Sequence, residues 1–482
     1  GENFAYTANI LEDGGGVVNL VKNGGGTQSI EKNGFTSYSG SATVNAGELR
    51  FRYPSDIDPA SQSIVVNSGG TFGISVGGGN EWMTGDIDTL LANATFNAGS
   101  ILSFRAQGGP DFDLTSDLSG VFGIQKLGTD GIELLGTNTF TGPTLVRGGE
   151  LSIDAEDRLG PAPGVFAADH LVLDGGTLQA TADLTLDDAN RGMTVAPAGG
   201  GFFTAGFVSE IALPIDGTGE LLVTGSNTFG TGLVQLTGLN PFAGTLEISG
   251  APVEVSSADN LSLAANVNLN GTAVLQLAGN LDGGASDFTR SVGTGPGEIQ
   301  WTGGGGFAAV GADRTIDLGG AGADFEFGVG SFLPSSATAL LLGSTSATHT
   351  AIFLNGLVLP GSGQYVIRLP DGPAAVEGEV AGLISGSGGL SIRDQGAVIL
   401  SNDNTYTGPT NVENTSTLLV NGDQTLANGL VTVTSGATLG GTGIIGGGVD
   451  VNGGGTLAPG TSVGTLTTAD AVFKDNSFFE VE

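Results

Sequence analysis

The feature that most constrains this chain of 482 residues is an internal repeat. Residues 34–51 (GFTSYSGSATVNAGELRF) align without a gap on residues 136–153 (GTNTFTGPTLVRGGELSI). Residues 401–420 repeat the NTYTGPT core with one extra residue before Leu418, whereas residues 225–248 begin with GSNTF and then diverge. A chain that repeats itself on this scale is predicted to fold as a series of similar stacked units.

A shorter pattern recurs between these copies. A short apolar run is followed by Asn, Asp or Thr, then by small residues rich in glycine, and then by another apolar residue. The pattern is centred on Asn45, Asn67, Asn97, Asp174, Thr434 and Asn452. Asn, Asp and Gly accept left-handed turn conformations, and the β-branched residues beside them fit a pleated strand. The 22-residue spacing from Asn45 to Asn67 therefore predicts a turn that recurs once per coil of a solenoid.

Helix patterns are nearly absent, because most stretches long enough for a helix contain at least one of the 88 glycines or 17 prolines. The short strand runs are too brief for independent hairpins, but stacked coils would pair each strand with its equivalents above and below. At about 23 residues per coil the chain would form roughly 20 layers, a rod on the order of 100 Å long. Two alternatives are a low-complexity tract and a β-sandwich array, which would need hairpin turns between longer strands.

The repeat resembles the autotransporter-associated β-strand repeat, also called the passenger-associated transport repeat, of bacterial passenger domains. The NTFTGPT and NTYTGPT cores carry the resemblance, together with Lys126, Gly128, Gly131 and Leu134 upstream of the second copy. It implies an all-β fold, a right-handed parallel β-helix exported across an outer membrane. The predicted repeat-motif residues are Tyr38, Gly40, Val44, Gly47, Leu49, Phe140, Gly142, Thr144, Val146, Gly149, Leu151, Phe229, Tyr406, Gly408, Thr410, Val412 and Leu418.

We expect one elongated β-helix over residues 1–482. The predicted repeat windows are residues 15–51, 120–153, 217–248 and 386–420, and the closing segment is residues 428–482.

The composition excludes several classes of protein. The 14 basic residues against 49 acidic ones give a net charge of −35, which disfavours a nucleic-acid partner. The absence of cysteine excludes a disulfide scaffold, a zinc finger and a thiol enzyme. No apolar run is long enough for a membrane span, and the first residue is Gly1. We therefore expect an extracellular or outer-membrane-attached protein, after removal of a signal peptide.

Candidate chemistry is sparse in this sequence. Asp169, His170 and Arg191 are the candidates for a polysaccharide-binding or polysaccharide-cleaving groove, and Trp82 and Trp301 for platforms that stack on sugars. The favoured interpretation is structural, with the Asp169–His170 pair at a strand edge and both tryptophans packed in the core or a cap. No serine elbow or P-loop is present, so we predict no catalytic residues, no resident metal and no enzyme. Isolated Asp-Gly segments are compatible with a weakly bound calcium ion.

These observations favour a structural or adhesive rod on a bacterial surface that self-associates into a fibre or layer. The supporting observation is the absence of an evident polar cap at Phe478 and Phe479, since unpaired strand edges must be covered. The alternatives are a β-helix that binds or cleaves polysaccharides, including surface glycans, and a monomeric autotransporter passenger stalk.

Overall fold

The structure, a computed structural model, describes residues 3–32, 38–226, 232–460 and 464–481. The chain is a β-solenoid in which parallel strands stack in about 21 turns, and only 4% of it is helical. The predicted parallel β-helix is thereby confirmed, and the β-sandwich alternative is wrong, because successive strands pair in parallel with the coils before and after them.

Side chains alternate across each strand, so one face of every coil points inward. Leu49 pairs with Phe72, Phe72 with Leu102, and Leu102 with Ile124, so these residues form one apolar row. All four are at least 96% buried. The small coil cross-section explains why the sequence alternates single apolar residues with polar ones and places glycine at the corners.

Two compact units divide the chain, Gly1–Leu221 and Leu222–Glu482. The strand Glu220–Thr224 contains the boundary between them. The expectation of one continuous rod over all residues stays a prediction.

The first unit is built around a ten-stranded parallel sheet, which we call the long sheet. Its strands are Phe4–Tyr6, Thr27–Ile30, Gly47–Phe51, Gly70–Val76, Ile101–Ala106, Gly123–Leu127, Thr144–Val146, Ala167–Leu173, Arg191–Val195 and Ile215–Gly217. The other strands of this unit are Leu20–Lys22, Ala42–Val44, Ile64–Val66, Thr95–Phe96, Phe112–Leu114, Ser119–Gly120, Ile132–Leu134, Thr139–Phe140, Glu150–Ile153, Thr177–Ala180, Leu184–Leu186, Gly200–Phe203 and Val208–Ile211.

The second unit is also built from series of stacked parallel strands. One series is Leu233–Leu236, Pro252–Val255, Ala273–Leu277, Gly305–Ala309, Ala339–Leu342, Gln364–Leu369, Gly389–Asp394, Thr410–Val412, Val431–Val433, Val449–Val451 and Ala471–Phe473. A second is Arg314–Ile316, Ala351–Phe353, Gly378–Val380, Ala397–Leu400, Thr417–Val420, Thr438–Gly441, Thr456–Pro459 and Phe478–Phe479. The remaining strands are Thr245–Ser249, Asn266–Asn270, Ile299–Trp301, Asp324–Glu326, Gly356–Leu359, Ile384–Gly386, Asp423–Gln424, Ile444–Ile445 and Thr467–Thr468.

Among the described residues of the first unit, one α-helix, Thr84–Asn93, interrupts the coils, and short 3₁₀ turns cover Pro54–Asp56 and Glu156–Leu159. The helix buries Ile87 and Leu90, which are three positions apart and therefore on one face. Sequence analysis found no helix here, because a single pair of apolar residues gives too weak a helical period.

Candidate functional site

Each of the three matching repeat copies spans two stacked coils. In the second copy, Ile124 and Lys126 of the upstream half pair with Thr144 and Val146 of the NTFTGPT half. In the third copy, Leu390 pairs with Thr410 in the same manner. The two halves of the sequence motif are therefore two layers of the solenoid, one lying on the other.

The predicted apolar motif residues line the interior. Val44, Phe140, Val146 and Val412 are completely buried, and the other members are at least 94% buried. Those other members are Tyr38, Leu49, Leu151, Tyr406 and Leu418. Phe229 lies outside the described residues. The role of these residues as repeat positions stays a proposal that their burial supports.

The first motif glycine lies at a close approach between neighbouring coils. A Cβ added at Gly40 would lie 2.1 Å from the carbonyl oxygen of Val18. At Gly142 it would lie 2.4 Å from the amide nitrogen of Gly123, and at Gly408 it would lie 2.3 Å from the carbonyl carbon of Gly388. Real Cβ atoms do not approach the backbone this closely, so only glycine fits these positions.

The second motif glycine, Gly47 or Gly149, has a different role at the next corner. Its φ angles are 67° and 58°, in the left-handed region that glycine adopts at low cost. The third copy has no glycine there and turns the corner with Asn414 and Thr415, whose φ angles are 55° and 65°. The extra residue seen in that copy of the sequence is therefore part of a longer turn.

In the second copy, a buried lysine donates hydrogen bonds to backbone carbonyls at the turn. Lys126 is only 2% exposed, and its Nζ donates to the carbonyl oxygens of Leu127 at 3.0 Å and Gly148 at 2.9 Å. Burial lowers the pKa of Lys126 to about 8. Lys22 makes the equivalent contacts in the first copy, to the carbonyls of Gly24 and Ala46. The lysine thus links two layers at their turn.

The aromatic residue of the motif makes a hydrogen bond in the third copy, where it is Tyr406, but not in the second, where it is Phe140. Tyr406 Oη lies 2.7 Å from Thr410 Oγ1. In the second copy Phe140 takes the place of the tyrosine, and the buried Thr144 hydroxyl has no hydrogen-bond partner among the described residues. A buried hydroxyl without a partner costs stability.

This difference yields a prediction with opposite signs at two sites. We expect Phe140→Tyr to raise the free energy of unfolding of its coil by about 1 kcal/mol, and Tyr406→Phe to lower it by about the same amount. Hydrogen exchange of the local peptides in increasing urea measures both changes. The gain at residue 140 should disappear in a Thr144→Val background. An equal gain in that background would contradict the pairing.

Sequence analysis did not assign a role to the asparagine of the NTFTGPT core. Asn138 accepts a hydrogen bond from Leu118 N at 3.0 Å and donates to the carbonyl of Arg158 at 2.7 Å. These two partners lie 20 residues before and after it, so one amide links three successive coils. Asn404 accepts from Ile384 N at 2.6 Å in the third copy. The recurrence of this asparagine in the NTFTGPT and NTYTGPT cores was the signal that could have identified these residues.

The turn asparagines of the shorter pattern stack into a ladder. The side-chain amide of Asn45 donates to Asn23 at 2.8 Å, Asn67 donates to Asn45 at 2.7 Å, and Asn97 donates to Asn67 at 2.8 Å. An amide can act as both donor and acceptor, so the same contact repeats from Asn23 to Asn97.

The candidate groove around His170 is instead a closed structural cluster. Arg191 is completely buried, and its guanidinium donates to Glu156 at 3.1 Å and to Asp188 at 2.8 Å. It also donates to the carbonyls of Leu159 and Gly160. The fifth contact, at 3.1 Å, is to His170 Nδ1, which must accept because arginine only donates. All five donors of Arg191 are therefore used within the chain.

The remaining candidates for sugar recognition do not form one site. Asp169 points to solvent on the exposed part of its strand, away from the buried cluster. Trp82 is completely buried and Trp301 is 3% exposed, so both pack in the core and neither offers a free ring face. The alternative that these residues line an open groove is wrong, because Arg191 and both tryptophans are enclosed by the coils, and the favoured interpretation of core packing is confirmed for Trp82 and Trp301.

The His170 contact predicts a pH dependence. Burial, together with the positive charge of Arg191, lowers the pKa of His170, although Asp169 and Asp188 act in the opposite direction. The unfolded histidine takes up a proton near pH 6.5, before the folded one does, so stability should fall as the pH drops below about 6.5. We expect this loss in the native protein and not in a His170→Gln variant. Urea midpoints from pH 7.5 to 5.0 measure the difference, and identical slopes would contradict it.

Within the part of the chain that the structure describes, no group of three or more His, Asp or Glu side chains is arranged to hold a metal ion. Within the same residues, no helix has both the length and the apolar character needed to cross a membrane.

Comparison with known proteins identifies the repeat. A profile of the family described as Passenger-associated-transport-repeat matches residues 20–51, 124–153 and 394–420. The chain is also similar to a protein of Brucella suis biovar 1 (strain 1330) described as Adhesin BmaC autotransporter. The two are 28% identical over 376 residues, which cover 73% of this chain and 9% of the relative, so the chain spans a small part of that protein's length. No solved structure gives a significant match.

The matched ranges coincide with the paired coils around Gly40, Gly142 and Gly408. The chain is therefore a parallel β-helix that contains three matches to the passenger-associated transport repeat and is similar to part of an autotransporter adhesin.

Proposed function

We propose that the chain is a non-enzymatic adhesive module that is exported to a bacterial surface and holds binding surfaces away from the cell. The observation that carries this proposal is the stack of coils with three passenger repeats. A solenoid of this kind offers long, repetitive outer faces for contact. The relative described as an adhesin supports adhesion as the activity.

The candidate catalytic residues support a role without catalysis. His170 and Arg191 contact each other and the coil backbone, and Arg191 has no exposed surface. A general base or a sugar-binding arginine must reach its substrate, which this burial prevents. We expect no new reducing ends when the protein is incubated with a panel of polysaccharides.

Adhesion is tested with beads that carry the purified chain. We expect these beads to be retained on cultured animal cells several-fold more than beads that carry an unrelated protein of equal charge. Heat-denatured chain is the control for non-specific attachment. Equal retention of all three would contradict the proposal.

Self-association is the second part of the proposal, and a group of exposed aromatic side chains in the second unit supports it. Phe473 and Phe479 make an edge-to-face contact with ring centroids 5.8 Å apart, yet they are 43% and 56% exposed. Phe478 is 58% exposed beside them. Clustered apolar side chains on a surface favour contact with another chain. A second copy of this chain is the partner that we propose.

Sedimentation velocity over a range of concentrations measures this association. We expect oligomers for the native chain and a monomer for a Phe478→Ser, Phe479→Ser variant. Val165→Ser, Phe166→Ser is the matched control, because it removes exposed apolar side chains from a loop of the first unit. A native chain that stays monomeric at high concentration would contradict self-association and leave adhesion standing.

A further inference from the structure

The outer face of the long sheet carries a groove. Leu49 and Phe51 point inward, so strand alternation places Glu48 and Arg50 on the outside. A groove of about 600 Å³ lies over this face. Its polar lining includes Glu48, Arg50, Arg105, Gln125 and Arg147. A second depression of about 350 Å³ shares Glu31, Arg50 and Arg105 with it, so the concave surface is elongated.

Positive charge is concentrated in this groove. Three of the chain's 14 basic residues line it, although the protein as a whole carries a net charge of −35. Arg50 lies 3.6 Å from Glu31, and Arg147 lies 3.2 Å from Asp174, so both are paired with carboxylates.

Arg105 differs from its neighbours. Its side chain donates to Gln107, and it makes no ion pair with any residue in the described ranges. Burial and the adjacent Arg50 guanidinium lower the pKa of Arg105, although the charges of Glu48 and Glu31 act in the opposite direction. A half-buried guanidinium beside another cation is complemented by a carboxylate, which it can bind through two parallel hydrogen bonds.

Two polar atoms at this face also lack partners. Glu48 Oε1 and Arg50 Nε are buried and have no hydrogen-bond partner among the described residues. Glu48 is 8% exposed, and its carboxylate lies over Gly73, where an added Cβ would come within 2.2 Å of Oε1. Buried polar atoms of this kind are normally paired, so a ligand that supplies a hydroxyl donor and an acceptor would stabilise them.

We infer that this groove binds an acidic saccharide, with its carboxylate on Arg105 and its hydroxyl groups on Glu48, Arg50 and the neighbouring polar side chains. The inference rests on the proposed adhesive function and names a ligand class for it. A nucleic acid would need more unpaired cations than the groove offers. A neutral sugar would leave the Arg105 charge without a partner. The acidic residues of the lining favour a ligand rich in hydroxyl donors over a purely anionic one.

Titration calorimetry with trigalacturonate tests the inference on the full chain. We expect saturable binding, a loss of at least tenfold in affinity in Arg105→Ala, and a smaller loss in Arg105→Lys, which keeps the charge without the planar fork. Arg393→Ala is the matched control, because it removes the same charge from the second unit, where Arg393 pairs with Glu413 at 2.9 Å. Its affinity should equal that of the native chain.

A second variant tests the position of the Glu48 carboxylate without changing charge. Gly73→Ala should weaken binding, because its Cβ displaces the Glu48 carboxylate, whereas Gly164→Ala has open space around it and should not. Absence of binding, equal binding of neutral galactotriose or of triglutamate, or unchanged affinity in Arg105→Ala would overturn the inference. Trigalacturonate binding without bead adhesion would contradict the proposed function alone, and adhesion without binding would contradict the groove alone.

Discussion

Replacing Arg191 by alanine is expected to lower the free energy of unfolding of the surrounding coils by about 3–5 kcal/mol. The substitution removes five hydrogen-bond donors at once and leaves Glu156 and Asp188 without their cation. Arg191 has no exposed surface, so water cannot replace these contacts without opening the coil. Hydrogen exchange in urea should show the loss in peptides that cover Ala167–Leu173 and Arg191–Val195.

Arg147→Ala is the control for this prediction. Its side chain is 44% exposed and pairs with Asp174 at 3.2 Å, so we expect a loss below about 1 kcal/mol. Equal effects of the two substitutions would show that the Arg191 cluster does not hold these coils together.

Replacing a motif glycine by alanine should be comparably damaging for a different reason. Gly142→Ala and Gly408→Ala each place a Cβ within 2.4 Å of the backbone of the preceding coil. The backbone is held by strand pairing on both sides and cannot yield as a flexible side chain would. We expect a loss of about 3 kcal/mol at each site, because overpacking forces backbone shifts. Urea unfolding followed by circular dichroism and local hydrogen exchange measures it.

Gly164→Ala provides the comparison. Nothing lies within 4 Å of the added Cβ, and the residue does not require the left-handed conformation. We expect a change of less than about 0.5 kcal/mol, as for most surface substitutions. Tolerance of alanine at both Gly142 and Gly408 would contradict the close approach of the coils.

Much of the fold follows from the sequence pattern. The turn asparagines and the motif glycines predicted stacked coils, and the structure places Asn45 on Asn67 and Gly142 against Gly123. These positions were predictable because the same local requirement, a turn or a close contact, recurs in every layer. The helix Thr84–Asn93 was not, since it occurs once and has no repeat to reveal it.

The candidate sites were harder to predict for a physical reason. Arg191 and His170 look like reactive groups in the sequence, and only their burial and mutual contact show that they are structural. The groove brings Arg50, Arg105 and Arg147 to one face across several coils. Their alignment depends on the length of each coil, which varies from layer to layer, so no fixed spacing in the sequence marks them as neighbours.

The pairing of each strand with the coils next to it has a consequence for how the chain acquires its structure. Ile124 finds its partners at Leu102 and Thr144, never at a remote part of the polypeptide. A newly formed coil therefore pairs with a coil that has already folded, and it needs no contact with later segments of the chain. Such a molecule can assemble progressively from one end while the remainder is still unfolded, which suits a polypeptide that threads through a narrow passage before it adopts its final form.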